Sequence, residues 1–357
     1  AIGSSGGLYD GLTYAVAASK DVTWEVAKKH DLGVDFALLG NKVSGTVDLF
    51  SERRDGIYMT RNYLPAIIGL TNLNSQPAAN FGSVSSQGFD GNVAFNEKMG
   101  KVDVTLRANM TYSKNKIEAY DEEMSRYPYR MYRGFRVNQA RGLIAEGLFT
   151  SYDEIRDSPL QTFGDYAPGD IKYKDVNGDG LIDDNDVVPI GATTKPNLIY
   201  GFGVSALWKG FDVNVHFQGA GKSTFFINGY GVRPFSGSDW GNILTDVVGN
   251  YWSLGVNEDP DARYPRLTYG NNSNNYRNST FWLRDGSYLR LKTLEIGYTL
   301  PRKMLSKAHI TNLRVYGMAT NLLTFSSFNL WDPEIGSSTG QEYPLSRVFT
   351  LGFTVGL

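Results

Sequence analysis

The sequence contains no cysteine, which excludes disulfide staples and thiolate metal sites. Its three histidines, His30, His216 and His309, are isolated and lack metal-ligand spacing. No run of about 18 apolar residues occurs, so no transmembrane helix is expected. Neither charge sign dominates: 35 Lys and Arg face 37 Asp and Glu, for a net charge of −2. Nothing there favours a nucleic-acid partner. Catalytic signatures are missing as well. There is no Gly-x-Ser-x-Gly elbow, and Gly219-Ala-Gly221-Lys222-Ser223 has histidine, not glycine, where a phosphate loop needs its first glycine. Carboxylates are plentiful, but no pair is singled out for glycoside hydrolysis. The chain is not expected to be an enzyme.

What is abundant is glycine and aromatic side chains, with 40 Gly and 22 Tyr in 357 residues. That balance suits turn-rich β structure. The clearest stretch runs from Asn197 to Gly219. Tyr200, Phe202, Val204, Ala206 and Trp208 alternate with Gly201, Gly203, Ser205 and Leu207. After Lys209-Gly210, Phe211, Val213, Val215 and Phe217 alternate with Asp212, Asn214, His216 and Gln218. This is an antiparallel hairpin with one apolar and one wet face, closed by a two-residue turn. The apolar face would meet a second sheet in a soluble sandwich and lipid in an outer-membrane barrel, where Trp208 and Phe211 would join an aromatic girdle.

The pattern recurs along the chain. A strand ending in Leu32, Val34, Phe36 and Leu38 turns at Gly40-Asn41 into Val43, Val47 and Leu49. Phe89, Val93 and Phe95 lead through Met99-Gly100 to Val102, Val104, Leu106, Ala108, Met110 and Tyr112, opposite Lys101, Asp103, Thr105, Arg107, Asn109 and Thr111. Further strands are expected over 289–300, 313–325 and 349–357. Connections are short at 40–41, 97–100, 209–210 and 301–310, and long at 54–83, 114–196, 220–286 and 326–344. Short turns at one end and long loops at the other match transmembrane barrels. About nine strands counted this way put Leu357 on the periplasmic side and residues 1–22 outside, which reads as a fragment of a larger barrel.

Within the long connections, Ser151-Tyr-Asp-Glu reads as a capping box opening a short helix, and Asp239 as the N-cap of a helix through about Leu254. Tyr and Arg residues over 126–141 read as loop packing. The sharpest motif is a calcium-loop pattern: Asp175, Asn177, Asp179, Asp183 and Asp186 fall at positions 1, 3, 5, 9 and 12, with Gly180 at 6 and the Leu181 carbonyl at 7. It has Asp where position 12 usually has Glu, and no flanking helix pair. A structural Ca²⁺ is the expectation; a hydrated Asx/Gly turn is the alternative.

These motifs also resemble a family. Ala167-Pro-Gly-Asp-Ile-Lys-Tyr-Lys-Asp-Val-Asn-Gly-Asp-Gly, Ile190-Gly, Tyr200-Gly-Phe, Lys209-Gly-Phe-Asp, Trp282-Leu-Arg-Asp-Gly-Ser-Tyr-Leu-Arg-Leu-Lys, Gly297-Tyr-Thr-Leu-Pro, Asn312-Leu-Arg-Val-Tyr, Asn321-Leu, Asp332-Pro-Glu and Tyr343-Pro occur in the order found in the C-terminal half of SusC/RagA-type TonB-dependent transporters. The resemblance implies an all-β, transmembrane antiparallel barrel of 22 strands, of which this chain supplies about nine. It further implies an N-terminal plug and the remaining strands outside residues 1–357, a SusD-type surface lipoprotein as lid, and TonB as the energy source. The cargo would be oligosaccharides or peptides, and the location the outer membrane. Leu357 departs from the terminal aromatic usual in such barrels. A secreted calcium-stabilised glycan-binding β module and a secreted β-sheet glycosidase are the competing readings.

Overall fold

The computed structural model describes residues 18–19, 21–61, 63–64, 76–235, 243–305 and 310–356. Nine long strands form one antiparallel sheet: β1 (Val26–Leu38), β2 (Val43–Thr60), β3 (Ala78–Met99), β4 (Val102–Ala119), β11 (Leu198–Trp208), β12 (Phe211–Gly221), β15 (Tyr288–Thr299), β16 (Asn312–Phe325) and β17 (Val348–Gly356). Their spatial order follows their sequence order, as a meander does. Shorter strands lie between them: β5 (Gln139–Gly142), β6 (Ala145–Leu148), β7 (Leu160–Gln161), β8 (Ile171–Tyr173), β9 (Leu181–Ile182), β10 (Val188–Thr193), β13 (Thr224–Phe226) and β14 (Leu283–Asp285). Two short helices, α1 (Tyr152–Arg156) and α2 (Arg302–Leu305), complete the set. The expected all-β, nine-stranded antiparallel architecture is what forms; within the described residues the sheet is open, with β1 and β17 at its edges.

The β11–β12 hairpin keeps one register from Trp208↔Phe211 to Leu198↔Gly221. Its turn works because Lys209 and Gly210 both take positive φ, 48° and 88°, the twist that matches the flanking strands. Phe202 and Phe217 face each other across it with ring centroids 5.1 Å apart. At the turn, Trp208, Phe211 and the Tyr298 ring, 4.4 Å from Phe211, form the aromatic group expected there.

The residues cluster into two compact units. One comprises residues up to Asp31 with 50–87 and 115–137. Here the expected loop over 54–83 gives way to strand: β2 runs to Thr60 and β3 begins at Ala78, and residues 62 and 65–75 lie outside the described set. The strands continue without an apolar period because charged groups pair across them. Arg54 bonds Glu25, Lys29 on β1 pairs with Glu52 at 3.5 Å, and Ser83 donates to Asp55 at 2.6 Å. Ladder bonds need no apolar face where both faces meet water.

The second unit comprises 32–49, 88–114 and 138–357, and its dry core is not in the sheet. Leu143, Phe149, Ile171, Tyr173, Ile182, Ile227, Val232, Val247, Tyr264 and Trp282 are all at most 2% exposed, and all come from the long connections. On β17, by contrast, Phe349, Leu351 and Phe353 are 72%, 84% and 73% exposed. Apolar rows left open on this scale mark an interaction surface, for another protein or for a membrane. The helix expected from Asp239 does not form over its described part. Asp239 is outside the described residues, and 244–250 make successive i→i−3 turns ending at Gly249, φ +79°. Tyr251 then bridges to Tyr264 and Trp252 buries itself, so pairing and burial outcompete helix continuation.

Candidate functional site

Two regions carry the chemistry. The first is the wet face of the sheet. Arg107 on β4 donates to Ser205 Oγ on β11 and Asn214 Oδ1 on β12, both at 3.0 Å. Asn92, Arg107, Asn109, Asn214, His216 and Thr293 line a polar depression of about 490 Å³ on this face. It exists because β11 places glycines there: a Cβ on Gly201 would stand 2.6 Å from Asn109 Oδ1, and one on Gly203 3.2 Å from His216 Nδ1. Nearer the short turns, Arg314 on β16 bonds both Asp212 on β12 and Glu295 on β15, across the gap left by Gly297. One guanidinium thus ties three strands together on a face that also holds charge.

The second region is the cluster of long connections, and here the sequence motifs acquire a purpose. Asp170, fully buried, accepts from Arg266 at 2.8 Å, from Asn275 Nδ2 at 2.7 Å and from the Ala167 N–H at 2.8 Å. Gln161, also buried, bridges Asn274, the Ile171 carbonyl and the Tyr173 N–H. The Tyr173 hydroxyl donates to the Asn274 carbonyl at 2.7 Å and the Trp282 indole to the Asn275 carbonyl at 2.6 Å. Burial pushes the Tyr173 phenol far above its usual pKa, and burial together with its bond to Asp246 does the same for Tyr264. In the polar Asn271–Asn275 tract, Asn272, Asn274 and Asn275 are therefore buried connectors, while Asn271 and Ser273 stay exposed. The tract's only sequence signal is proximity to Trp282. Similarly Arg290, 2% exposed, reaches from one motif segment to Asp332 and Glu334 in another.

Ser151 caps α1 as expected, its Oγ accepting from the Glu154 N–H, but the reciprocal half of the box shifts by one residue: Glu154 accepts from the Thr150 N–H and hydroxyl in place of the Ser151 N–H, and pairs with Lys172 at 2.9 Å. Arg126 lies over Tyr127, and Glu122 accepts the Tyr132 and Arg133 N–H groups, so the Tyr/Arg stretch packs locally.

The calcium-loop residues come together as a closed turn. Asp175 accepts from the Gly178 and Gly180 N–H groups at 2.6 and 2.8 Å, Asn177 Oδ1 from Asp179, and Asp179 Oδ1 from Leu181. Asp183 caps the 3-10 turn Asp184–Asp186, and buried Asp186 accepts from Val176 and Asp183. Among the described residues no group of three or more His, Cys, Asp or Glu side chains gathers as a metal site. Backbone N–H groups order the donors here, and an ion would have to draw the carboxylates together.

The geometry meets its counterparts in known proteins. A TonB-dependent receptor of Formosa agariphila is 26% identical over 369 residues, covering 97% of this chain and 36% of the relative. TonB-dependent receptor SusC of Bacteroides thetaiotaomicron is 22% identical, over 95% and 32%. The RagAB peptide importer in its open-open state superposes with a TM-score of 0.75 at 21% identity, over 97% of this chain and 36% of that one. The chain resembles SusC/RagA-type transporters. The likeness expected from the motifs thus holds over nearly the whole sequence, and the fold matches about a third of the RagAB chain. No family model matches. The chain spans about a third of the length of these relatives. They are named as receptors and not as enzymes, in line with the expectation against catalysis.

Proposed function

We propose that this chain forms part of the wall of an outer-membrane β-barrel that imports nutrients, oligosaccharides or peptides, as the transporter half of a SusCD-type complex energised by TonB. The observation that carries this reading is the sheet itself. Strands with one exposed apolar face and one hydrogen-bonded polar face, short turns at one end and a folded loop cluster at the other, suit a wall between lipid and a wet lumen. On this reading the depression at Arg107, Asn109 and His216 faces the lumen, and the cluster around Asp170 and Trp282 forms the outer mouth on which a surface lipoprotein lid would rest. Uptake by cells lacking the full-length gene tests it. Loss of growth on a defined oligosaccharide or oligopeptide mixture, restored by the gene but not when TonB is absent, supports it. Unchanged growth on both overturns it.

Ca²⁺ at Asp175, Asn177, Asp179, Leu181, Asp183 and Asp186 is a separate proposal. Its support is the donor spacing, together with the outward setting that the barrel reading gives the loop, where millimolar calcium suits weak oxygen sites. Calorimetry of the parent and of the Asp175→Ala, Asp179→Ala double variant should show a calcium-dependent rise in stability only in the parent. Equal responses would leave a closed polar turn.

A further inference from the structure

The exposed apolar face carries a feature that a barrel wall does not require. Two depressions run along it. One, of about 590 Å³, is lined by Phe36, Phe89, Met110, Leu198, Tyr200 and Phe202. The other, of about 460 Å³, is lined by Phe95, Leu106, Val204, Val215 and Phe217. They share Val93, Ala108 and Phe202, so they form one trough along β3, β4, β11 and β12. Gly91 and Ala108 make its floor low and the aromatic rings make its walls high. Most of it lies on interior strands, away from the open sheet edges. Each volume is in the range of small-molecule sites, ~300–1,000 Å³.

At the loop end of the trough sits positive charge. Tyr112 pairs with Leu198 across the ladder, and its ring lies 6.0 Å from that of Phe89, so it caps the trough. The Lys222 ammonium stands 4.7 Å from the Tyr112 ring centroid. Lys222 follows the last paired residue of β12 with φ +56°, a left-handed conformation that turns its side chain away from the His216–Gln218–Ala220 row and onto the apolar side. Lys114, two residues beyond Tyr112 on the same strand, shares the Tyr112 face. Both lysines are exposed, and neither has an ion-pair partner among the described residues. An uncompensated cation pair above a long aromatic-walled trough matches an amphiphile with an anionic head and a linear apolar tail.

We propose that this trough is a binding site for a phosphate-headed membrane lipid, with an acyl chain along Phe89, Ala108 and Phe202 and the phosphate on Lys222 and Lys114. The proposal rests on the barrel reading, since the trough must face lipid. An acyl chain fills a groove that straight lipid packing leaves void, and the lysines select the headgroup. A bound lipid there would brace β4, β11 and β12 just beneath the loop cluster.

Native mass spectrometry of the full-length, detergent-purified protein tests this, with phosphatidylglycerol, phosphatidylcholine and inorganic phosphate as separate probes. The parent should retain phosphatidylglycerol over phosphatidylcholine and show no retention of phosphate. Lys222→Ala and Lys114→Ala should each lower the preference about fivefold. Ala108→Trp, which fills the trough with an apolar group and should leave folding intact, should abolish it while both lysines remain. No headgroup preference in the parent, or unchanged retention in Ala108→Trp, overturns the site. A dimer that Ala108→Trp splits would make the trough a contact between two copies and overturn it too. Recovery of the protein in the soluble fraction without detergent would instead overturn the barrel reading itself.

Discussion

Asp170 decides more than any other single side chain in the described loops. Its carboxylate is fully buried and is held by Arg266, Asn272, Asn275 and the Ala167 N–H. Removing it strands two buried amides and takes the carboxylate from the half-buried Arg266 guanidinium. Asp170→Ala should therefore cost about 3–5 kcal/mol of loop-cluster stability, with Asp170→Asn costing less because it keeps the shape and part of the bonding. Thermal unfolding in detergent and protease nicking near 265–275 would read this; wild-type resistance in the Ala variant would mean the network is not structural. The buried phenols give a pH dependence of definite sign. Tyr173 and Tyr264 have pKa values raised above the usual value near 10 in the folded chain. Their stabilisation is complete below about pH 10 and is lost as pH rises, because the unfolded chain gives up these protons first. Hydrogen-exchange protection across the cluster, measured relative to the intrinsic exchange rate at each pH, should fall as pH rises above about 10, and less so in Tyr264→Phe.

At the scale of elements, the hairpins were legible because each strand there must satisfy two solvents at once. The β11–β12 register follows from residues 198–221 alone: the alternation fixes the faces and Lys209-Gly210 fixes the turn. That turn yields a prediction. A Cβ on Gly210 would lie 2.6 Å from the Thr299 carbonyl oxygen and would have to accept φ +88°. Gly210→Ala should destabilise the hairpin by about 1–3 kcal/mol, seen as a lower melting temperature of the detergent-solubilised protein; Gly40→Ala, with φ +66° but nothing within 4 Å, should cost less. Parity between the two would show that the clash with β15 is relieved by backbone movement. What was not legible lies where pairing is set by distant partners. The far half of β2 carries Glu52, Arg53, Arg54 and Asp55 in place of an apolar period, and its order comes from bonds to neighbouring segments: Arg54 to Glu25, Lys29 to Glu52 and Ser83 to Asp55. The turn series at 244–250 hides behind a helix-like start, since only the Tyr251–Tyr264 bridge reveals the choice. Asn272, Asn274 and Asn275 read as solvated because nothing in their own neighbourhood states that Asp170, Gln161 and Ile171 will close over them.

At the scale of the molecule, two facts pull against each other. The loop cluster has a packed, hydrogen-bonded core of its own, whereas the sheet beneath it ends at β1 and β17, each with one neighbour. In water the exposed rows on β17 and β11 would drive association at about 25 cal/mol per Å² buried; in lipid they are at home, but each unpaired ladder group at a sheet edge costs several kcal/mol. Nine strands satisfy neither medium unless further strands pair with both edges. The 357-residue chain expressed by itself is therefore expected to enter aggregates or associate edge to edge in detergent, while its loop cluster keeps native-like protection. The same residues carried within a chain of about three times this length, the length of the relatives, should give a closed, protease-resistant barrel. Electrophoretic heat-modifiability separates the outcomes, since a closed barrel migrates faster before boiling than after. A heat-modifiable, monodisperse product from residues 1–357 alone would show that β1 and β17 can pair with each other, and the nine-stranded sheet would then be a complete wall rather than a share of one.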